Sequence, residues 1–368
     1  MHAPLPTRSL TAASVLMELD MILIPIVLVL IIGAAALGLA YEAGASRRNR
    51  RRFPAPGQFV DVGGYRLHLH VTGADKQGPT VILEAGMVSF SSNWAWVQSE
   101  VAKAARVVAV DRAGLGWSDP GPQPRDAGSS ARELYAALEK LGIRAPYVLV
   151  GHSYGGLAIR AFAALYPDEV AGMVLVDASH PDQWLRFGTS SRIPGYGTRI
   201  FGQLAHFGLF RIFNGEYRLL ADGLPPQQHA ELMAFTSTPR ALSTVGEVLS
   251  VWDSVSRPLV NSAGGLGDLP LIVLSVTEQP RMGENLTALQ VELPALSSNS
   301  EHITVQGACH EGLVSRQEYA RIVSASVQRV VDAVRTGAPL ATQVAGGTNS
   351  QARASTINPA DIPSGNAQ

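Results

Sequence analysis

Six consecutive residues, Gly151-His152-Ser153-Tyr154-Gly155-Gly156, combine a hydroxyl nucleophile with the backbone freedom needed to expose it. They follow an apolar run at residues 147–150. They open a stretch whose apolar residues Leu157, Ala158, Ala161, Phe162 and Leu165 recur at helical spacing. G-x-S-x-G between a strand and a helix is the context of a nucleophile elbow. So sharp a turn forces the serine into strained backbone geometry, and Cβ atoms on either side would collide, hence the glycines. The strain lifts the Ser153 hydroxyl clear and aims the first N–H groups of the new helix at whatever the serine attacks. An ordinary Gly-rich turn would account for the pentapeptide alone, but not for the strand and helix that flank it.

A serine needs a base, a group that orients the base, and donors for an oxyanion. Of nine histidines, His310 is the last in the chain, follows an apolar run at 303–305, and satisfies the order Ser, acid, His. His302 begins that same run and so lies at its opposite end. His180 falls in a region without strands, and the His152 side chain should point away from the serine hydroxyl. Two carboxylates stand at strand ends: Asp177 directly after residues 173–176, and Glu278 four residues after the run 271–274. Either can accept the His310 Nδ1–H, and the sequence leaves both open. For the oxyanion, the expected donors are the backbone N–H of Tyr154 and that of Met87, beside Gly86 in the loop after residues 80–83. Cys309 beside His310 is the only cysteine; with no Cys-centred motif it reads as a small buried hydrophobe. His68 and His70 share one strand face and read as solvated positions, since two ligands do not make a metal site.

These groups must be held by a scaffold, and its rhythm is visible. Residues 59–71 alternate about Gly63-Gly64 as a hairpin. Short apolar runs at 80–83, 107–110, 147–150, 173–176, 271–274 and 303–305 then alternate with helical patterns near 93–105, 131–141, 154–166, 284–296 and 315–334. The pattern predicts an α/β domain over 57–335, a mostly parallel sheet with helices on both faces. Chemistry in such sheets gathers at the carboxyl ends of strands. Between Asp177 and Asp268 no buried strand is evident. Trp184, Phe187, Phe201, Phe207, Phe210, Phe213 and Trp252 lie there, and so long a stretch needs structure of its own. It reads as a helical cap, residues 180–268, over the site. Asp111-Arg-Ala-Gly114-Leu-Gly116-Trp-Ser118 lacks the third glycine and the helix of a dinucleotide fingerprint, so it reads as tight turns and scaffold hydrogen bonds. No cofactor and no metal is expected.

The net charge of −1 gives no nucleic-acid footprint. One cysteine excludes an internal disulfide. Residues 1–20 are unpatterned. Residues 21–41 contain no charge, and 21 residues of helix at about 1.5 Å each span roughly 30 Å of hydrocarbon. A cleaved signal peptide would want a basic start and a shorter apolar stretch. The basic cluster Arg47, Arg48, Arg50, Arg51 and Arg52 instead follows the span, in a linker at 42–56. The positive-inside tendency then places the N-terminus outside and the body of the protein in the cytoplasm, as a single-pass membrane protein. Residues 336–368 are rich in small polar residues and are expected to stay disordered.

Gly151-His-Ser153-Tyr-Gly155-Gly, Asp111-Arg-Ala-Gly-Leu-Gly-Trp-Ser118 and the late His310 together resemble the α/β-hydrolase superfamily, over residues 57–335. The apolar anchor, Val60-Asp-Val-Gly-Gly-Tyr-Arg-Leu-His68 and Val176-Asp-Ala-Ser-His-Pro181 resemble a group of membrane-anchored bacterial serine hydrolases. The resemblance implies an eight-stranded sheet, a cap between the sixth and seventh strands, and hydrolysis without a cofactor. It puts the nucleophile on Ser153 and the base on His310. The chain departs from the superfamily pattern in three positions. Ala85-Gly86 stands where the oxyanion loop usually has His-Gly, Glu278 where the acid is usually Asp, and Ser275 in place of a common glycine. Some members carry the acid after the sixth strand, where Asp177 stands. A serine nucleophile argues against the dehalogenase and epoxide-hydrolase branches, which use Asp. The expected activity is cleavage of a carboxylic ester or related acyl bond in a small, apolar substrate. Aminopeptidase- or thioesterase-type hydrolysis, or a non-catalytic binding module on the same fold, are the alternatives.

Overall fold

The computed structural model describes residues 12–212, 215, 218–278, 283–340 and 353–361. Among them nine strands form one sheet: β1 (Gln58–Asp61), β2 (Arg66–Thr72), β3 (Thr80–Glu84), β4 (Val107–Asp111), β5 (Tyr147–His152), β6 (Val170–Val176), β7 (Leu271–Glu278), β8 (Ser300–Cys309) and β9 (Arg353–Ile357). Their spatial order is β1-β2-β4-β3-β5-β6-β7-β8-β9. The β1–β2 and β2–β4 pairings are antiparallel, and the others are parallel.

The helices are α1 (Ala12–Arg52), α2 (Ala95–Val101), α3 (Ala127–Lys140), α4 (Tyr154–Leu165), α5 (Gln183–Arg186), α6 (Arg192–Ala205), α7 (Leu209–Ile212), α8 (Arg218–Ala221), α9 (Pro226–Phe235), α10 (Pro239–Val251), α11 (Arg257–Ser262), α12 (Gly283–Glu292), α13 (Gly312–Ser315) and α14 (Gln317–Thr336). Strand periodicity divides the core between the two sheet faces. Ile82, Val108, Leu149, Met173 and Leu175 pack under α3 and α4. Their neighbours Val81, Val107, Val148, Val174 and Val176 pack under α2 and α14. The central strands are therefore apolar at nearly every position, as a sheet covered on both faces requires.

β3 has β4 on one side and β5 on the other, so the winding direction reverses between β3 and β5. Loops leaving the carboxyl ends of two such strands turn away from each other and open a crevice. The loop after β3 and the turn after β5 bound it. Residues 177–270, the connection from β6 to β7, carry helices α5–α11 and, among the described residues, no strand, as a cap.

Three expectations are corrected. The basic linker is helical: α1 runs to Arg52 across Gly44, because the arginines at 47, 48 and 50–52 are good helix formers and no proline follows Pro25 until Pro54. The segment expected to be disordered contributes β9, which pairs in parallel with β8 and makes the sheet nine-stranded rather than eight-stranded. Its Arg353-Ala-Ser-Thr-Ile357 ends on two β-branched residues, a weak strand signal within a polar composition. His68 is fully buried rather than solvated, for the reason given below.

α4 crosses the sheet at very short range. A Cβ built on Gly155 would lie 2.1 Å from the Glu84 carbonyl oxygen, and one on Gly156 would lie 2.3 Å from the Ala178 Cβ. Backbone cannot give way as a flexible side chain can. Gly155→Ala is therefore expected to destabilise the fold by about 3 kcal/mol or more, measurable as a drop in thermal midpoint.

Candidate active site

Ser153 sits between the last residue of β5 and the first of α4 with φ 54° and ψ −124°. Among the described residues only two non-glycines have positive φ, Ser153 and Asp177 at φ 40°. Both directly follow the carboxyl ends of adjacent parallel strands. Such geometry costs of order 1–3 kcal/mol per residue and persists only where the surroundings over-determine it. Here they do. The Ser153 N–H donates to Val176 O at 3.2 Å, and its carbonyl accepts from Gly156 N at 3.0 Å and Ser179 N at 2.9 Å. The Asp177 N–H donates to Leu274 O at 2.7 Å. The elbow and the acid turn are thus tied to one another and to β7.

His310 follows β8 and bonds through Nδ1 to Asp177 Oδ2 at 2.5 Å. A carboxylate only accepts, so Nδ1 carries the proton and Nε2 is left as the basic nitrogen. Asp177 is buried, whereas a third of the His310 side chain is open to solvent. Burial disfavours the imidazolium, but the hydrogen bond and charge of Asp177 outweigh it and hold the His310 pKa above its ordinary value. The second acid candidate, Glu278, ends β7 opposite Cys309, and its side chain lies outside the described residues.

The loop after β3 is held by Arg112, from the Asp111-Arg-Ala-Gly motif. The guanidinium donates to Ala85 O at 2.7 Å, Gly86 O at 2.6 Å and Met87 O at 3.2 Å, and pairs with Glu84 Oε2 at 2.9 Å. In a planar trans peptide the N–H points opposite to the preceding carbonyl. Pinning the Gly86 carbonyl on Arg112 turns the Met87 N–H away from Arg112. Gly86 lies against the elbow, since a Cβ placed on it would be 3.5 Å from Ser153 Cβ and 3.4 Å from His152 Nδ1. Met87 and Tyr154 thus flank the crevice from its two sides. Arg112→Lys keeps the charge beside buried Glu84 but cannot fork across three carbonyls. It is expected to lower kcat about a hundredfold with little change in KM, the signature of a donor that acts in the transition state.

The same motif explains His68. Its Nε2 accepts from Gly57 N at 2.9 Å, so its Nδ1 is the donor to Asp111 Oδ2 at 3.0 Å. Asp111 also accepts from Ser91 N at 2.8 Å and Trp117 N at 2.9 Å. Gly116 needs its φ of 48° and has no room for a side chain, because a Cβ would sit 2.3 Å from Asp111 Oδ2. The motif is scaffold, as its turn chemistry suggests. No group of three or more metal-binding side chains occurs among the described residues.

Residues 79–217 match the family described as alpha/beta hydrolase fold. An esterase of Thermogutta terrifontis superposes with a TM-score of 0.55 at 19% identity, covering 75% of this chain and all of the esterase. The epoxide hydrolase CorEH superposes at 0.56 and 17% identity, covering 74% of this chain and 96% of CorEH. The chain has the α/β-hydrolase fold. A relative from Gibberella zeae called an AB hydrolase superfamily protein is 35% identical over 121 residues, 31% of this chain and 38% of that protein. The chain spans between 18% and 52% of the length of the curated relatives it first matches.

Within this fold, sequence reasoning missed one residue that shapes the candidate site. His152 donates from Nε2 to the His310 carbonyl at 2.9 Å, and the two rings lie 4.6 Å apart. Burial, then the neighbouring imidazole, holds its pKa well below the ordinary value, so it is neutral. It positions the loop that carries His310. A histidine immediately before a candidate nucleophile is the only sequence signal, and it does not say which way the ring turns. The cap is also less aromatic inside than its composition suggests. Trp252 is buried against Tyr154 at 5.5 Å, and Trp184 packs edge-on to Trp252. Phe201 and Phe207 instead face outward. Phe213 lies outside the described residues.

Proposed function

We propose that this chain is a membrane-anchored serine hydrolase that cleaves a carboxylic ester or a related acyl bond. The observation that carries the reading is the short Asp177–His310 bond at the strand ends beside the strained Ser153. In this reading His310 Nε2 takes the Ser153 Oγ proton as the oxygen bonds to the carbonyl carbon, and the carbonyl π-electrons move onto oxygen. The N–H groups of Met87 and Tyr154 receive that oxyanion. Collapse expels the alcohol, which takes the proton from His310 and leaves an acyl-Ser153. Water, deprotonated by His310 Nε2, then adds to the acyl carbon, and collapse frees the acid as Ser153 Oγ takes the proton back from His310. Asp177 holds the imidazole in the required tautomer and favours the imidazolium. No cofactor enters these steps.

A serine nucleophile separates this reading from the epoxide hydrolases that share the fold. α1 is long and apolar enough to cross a membrane, with a mean hydropathy of 2.9 in its most apolar stretch, and it supports a single-pass anchor. The arginines at its end favour a cytoplasmic domain.

The test uses the full chain in detergent and a fluorophosphonate probe. Labelling should map to Ser153 by mass spectrometry, disappear with His310→Ala, fall strongly with Asp177→Asn and persist with Glu278→Gln. A folded protein that does not label, or labels elsewhere, would refute the proposal.

A further inference from the structure

Helix α6 has three kinds of side. Gly195, Gly202 and Ala205 are buried, and the two glycines lie against α10 so closely that Cβ atoms would come within 2.9 Å of Ser250 N and 2.7 Å of Ser243 Oγ. Arg192 and Arg199 lie along one edge. The remaining side carries Ile193, Tyr196, Ile200, Phe201 and Leu204, spaced 3, 7, 8 and 11 residues from the first as on one helical face, and it faces solvent. Their exposures run from 41% for Leu204 to 69% for Ile193, and Phe207 and Leu209 extend the patch past the helix end. A soluble surface does not normally keep so many large apolar side chains together.

The position of this face identifies its occupant. The chain immediately after α6 meets α1 at the point where the apolar stretch of α1 ends. A Cβ on Gly38 would lie 2.6 Å from Phe207 O, and one on Gly208 would lie 2.6 Å from the Tyr41 ring. One turn further, Glu42 forms a buried pair with Arg211 at 2.5 Å, joined by Ser46, and Asn49 donates to Ala234 O at 3.0 Å. α1 is thus fixed to the cap. Residues 22–32 of α1 are exposed and apolar, the half-exposed Tyr41 stands at the boundary, and the arginines follow. Aromatic residues favour the water–lipid interface, and basic residues favour the anionic headgroups beyond it. With α1 spanning the bilayer, the attached α6 lies at that interface.

We infer that α6 is an interfacial helix whose apolar face sits among lipid acyl chains and headgroups beside the anchor. The inference rests on α1 being a membrane span. It makes the cap, and not only α1, part of the membrane-bound surface. An amphipathic helix lying in the interface plane buries its apolar side by about 5–10 Å. The cap of the candidate site would then open at the membrane, suiting a substrate that partitions into lipid.

The experiment uses the full chain in nanodiscs of phosphatidylcholine and phosphatidylglycerol. Single cysteines at Leu30, Ile200 or Lys103, each in a Cys309→Ser background, carry a fluorophore, and the lipids carry a doxyl quencher near the head or the end of the acyl chain. The Ile200→Cys label should lose most of its emission to the shallow quencher and less to the deep one. Leu30→Cys should be quenched more by the deep quencher, and Lys103→Cys by neither. Quenching at Leu30→Cys without quenching at Ile200→Cys leaves the anchor intact and overturns the inference. Loss of quenching at both positions overturns the anchor and the inference together. Tyr196→Cys repeats the measurement one turn away, so a local defect at position 200 does not decide the result.

Discussion

Ser153→Ala is expected to reduce kcat for an activated short-chain ester by roughly 10⁶-fold, leaving the residual rate that binding and the oxyanion donors supply alone. The size follows from the role: removing the oxygen that forms the acyl-enzyme removes the whole two-step route, whereas a donor lost from the oxyanion site costs about 10²–10³. The fold should survive. The 54° φ of Ser153 is imposed by hydrogen bonds to Val176, Gly156 and Ser179 that involve its backbone and not its hydroxyl. Alanine tolerates that backbone as poorly as serine does, so the thermal midpoint should move little. A variant that keeps its midpoint and retains ester turnover within tenfold of the parent would remove Ser153 from the mechanism. Burst kinetics with a chromogenic ester separate the cases further, because an acyl-enzyme gives a burst and general-base hydrolysis does not.

Asp177→Asn is the second large effect, with kcat falling about 10⁴-fold, and it carries a sign that a structural defect would not reproduce. In the parent, burial pushes the His310 pKa down and Asp177 raises it by more, leaving it above the ordinary 6.5. The base is the neutral imidazole, so kcat/KM should rise with pH through that raised value. With asparagine the anion is gone and burial remains. The acid limb should move to lower pH, below the ordinary histidine value, while the maximum collapses. Stability runs the other way. A histidine pKa raised in the folded state contributes stability that is fully present below the unfolded value near 6.5 and is lost as pH climbs through the folded value. The parent should therefore be steadier on the acid side of the transition and more active on the alkaline side, and Asp177→Asn should flatten the stability difference. A pH–rate profile for Asp177→Asn that keeps the parent's acid limb would assign the limb to another group. Glu278→Gln is the paired control, expected to leave both limb and maximum in place.

Much of this was legible in the sequence because the signals are local. Gly151-x-Ser153-x-Gly155 declares itself because a strand-to-helix turn of that sharpness admits no Cβ beside the serine, and strand and helix periodicities on either side need no tertiary information. The alternation of apolar runs and helical patterns implied a mostly parallel sheet for the same reason, and the order of Ser153 and His310 in the chain fixed which histidine follows a strand. Residues 21–41 announced a possible membrane span by length and composition alone.

What the sequence left open depends on distances between segments far apart in the chain. Asp177 and Glu278 both stand at strand ends. The orientation of a carboxylate follows from the turn that carries it, and only the fold shows Asp177 at positive φ with its oxygen on His310. His68 alternates like a solvent-facing strand residue, yet β4 brings Asp111 against it and makes it a buried, hydrogen-bonded group. Arg112 reads as part of a turn motif until β3 and β4 pair and place its guanidinium under the loop after β3. β9 is too short and too polar to be recognised before the exposed edge of β8 supplies its partner. The outward face of α6 gains its meaning only from the contact of the segment after it with α1, 169 residues earlier in the chain at the Glu42–Arg211 pair. Periodicity and turn chemistry are properties of neighbours in sequence. Ion pairing, tautomer choice and the sharing of a surface are properties of neighbours in space.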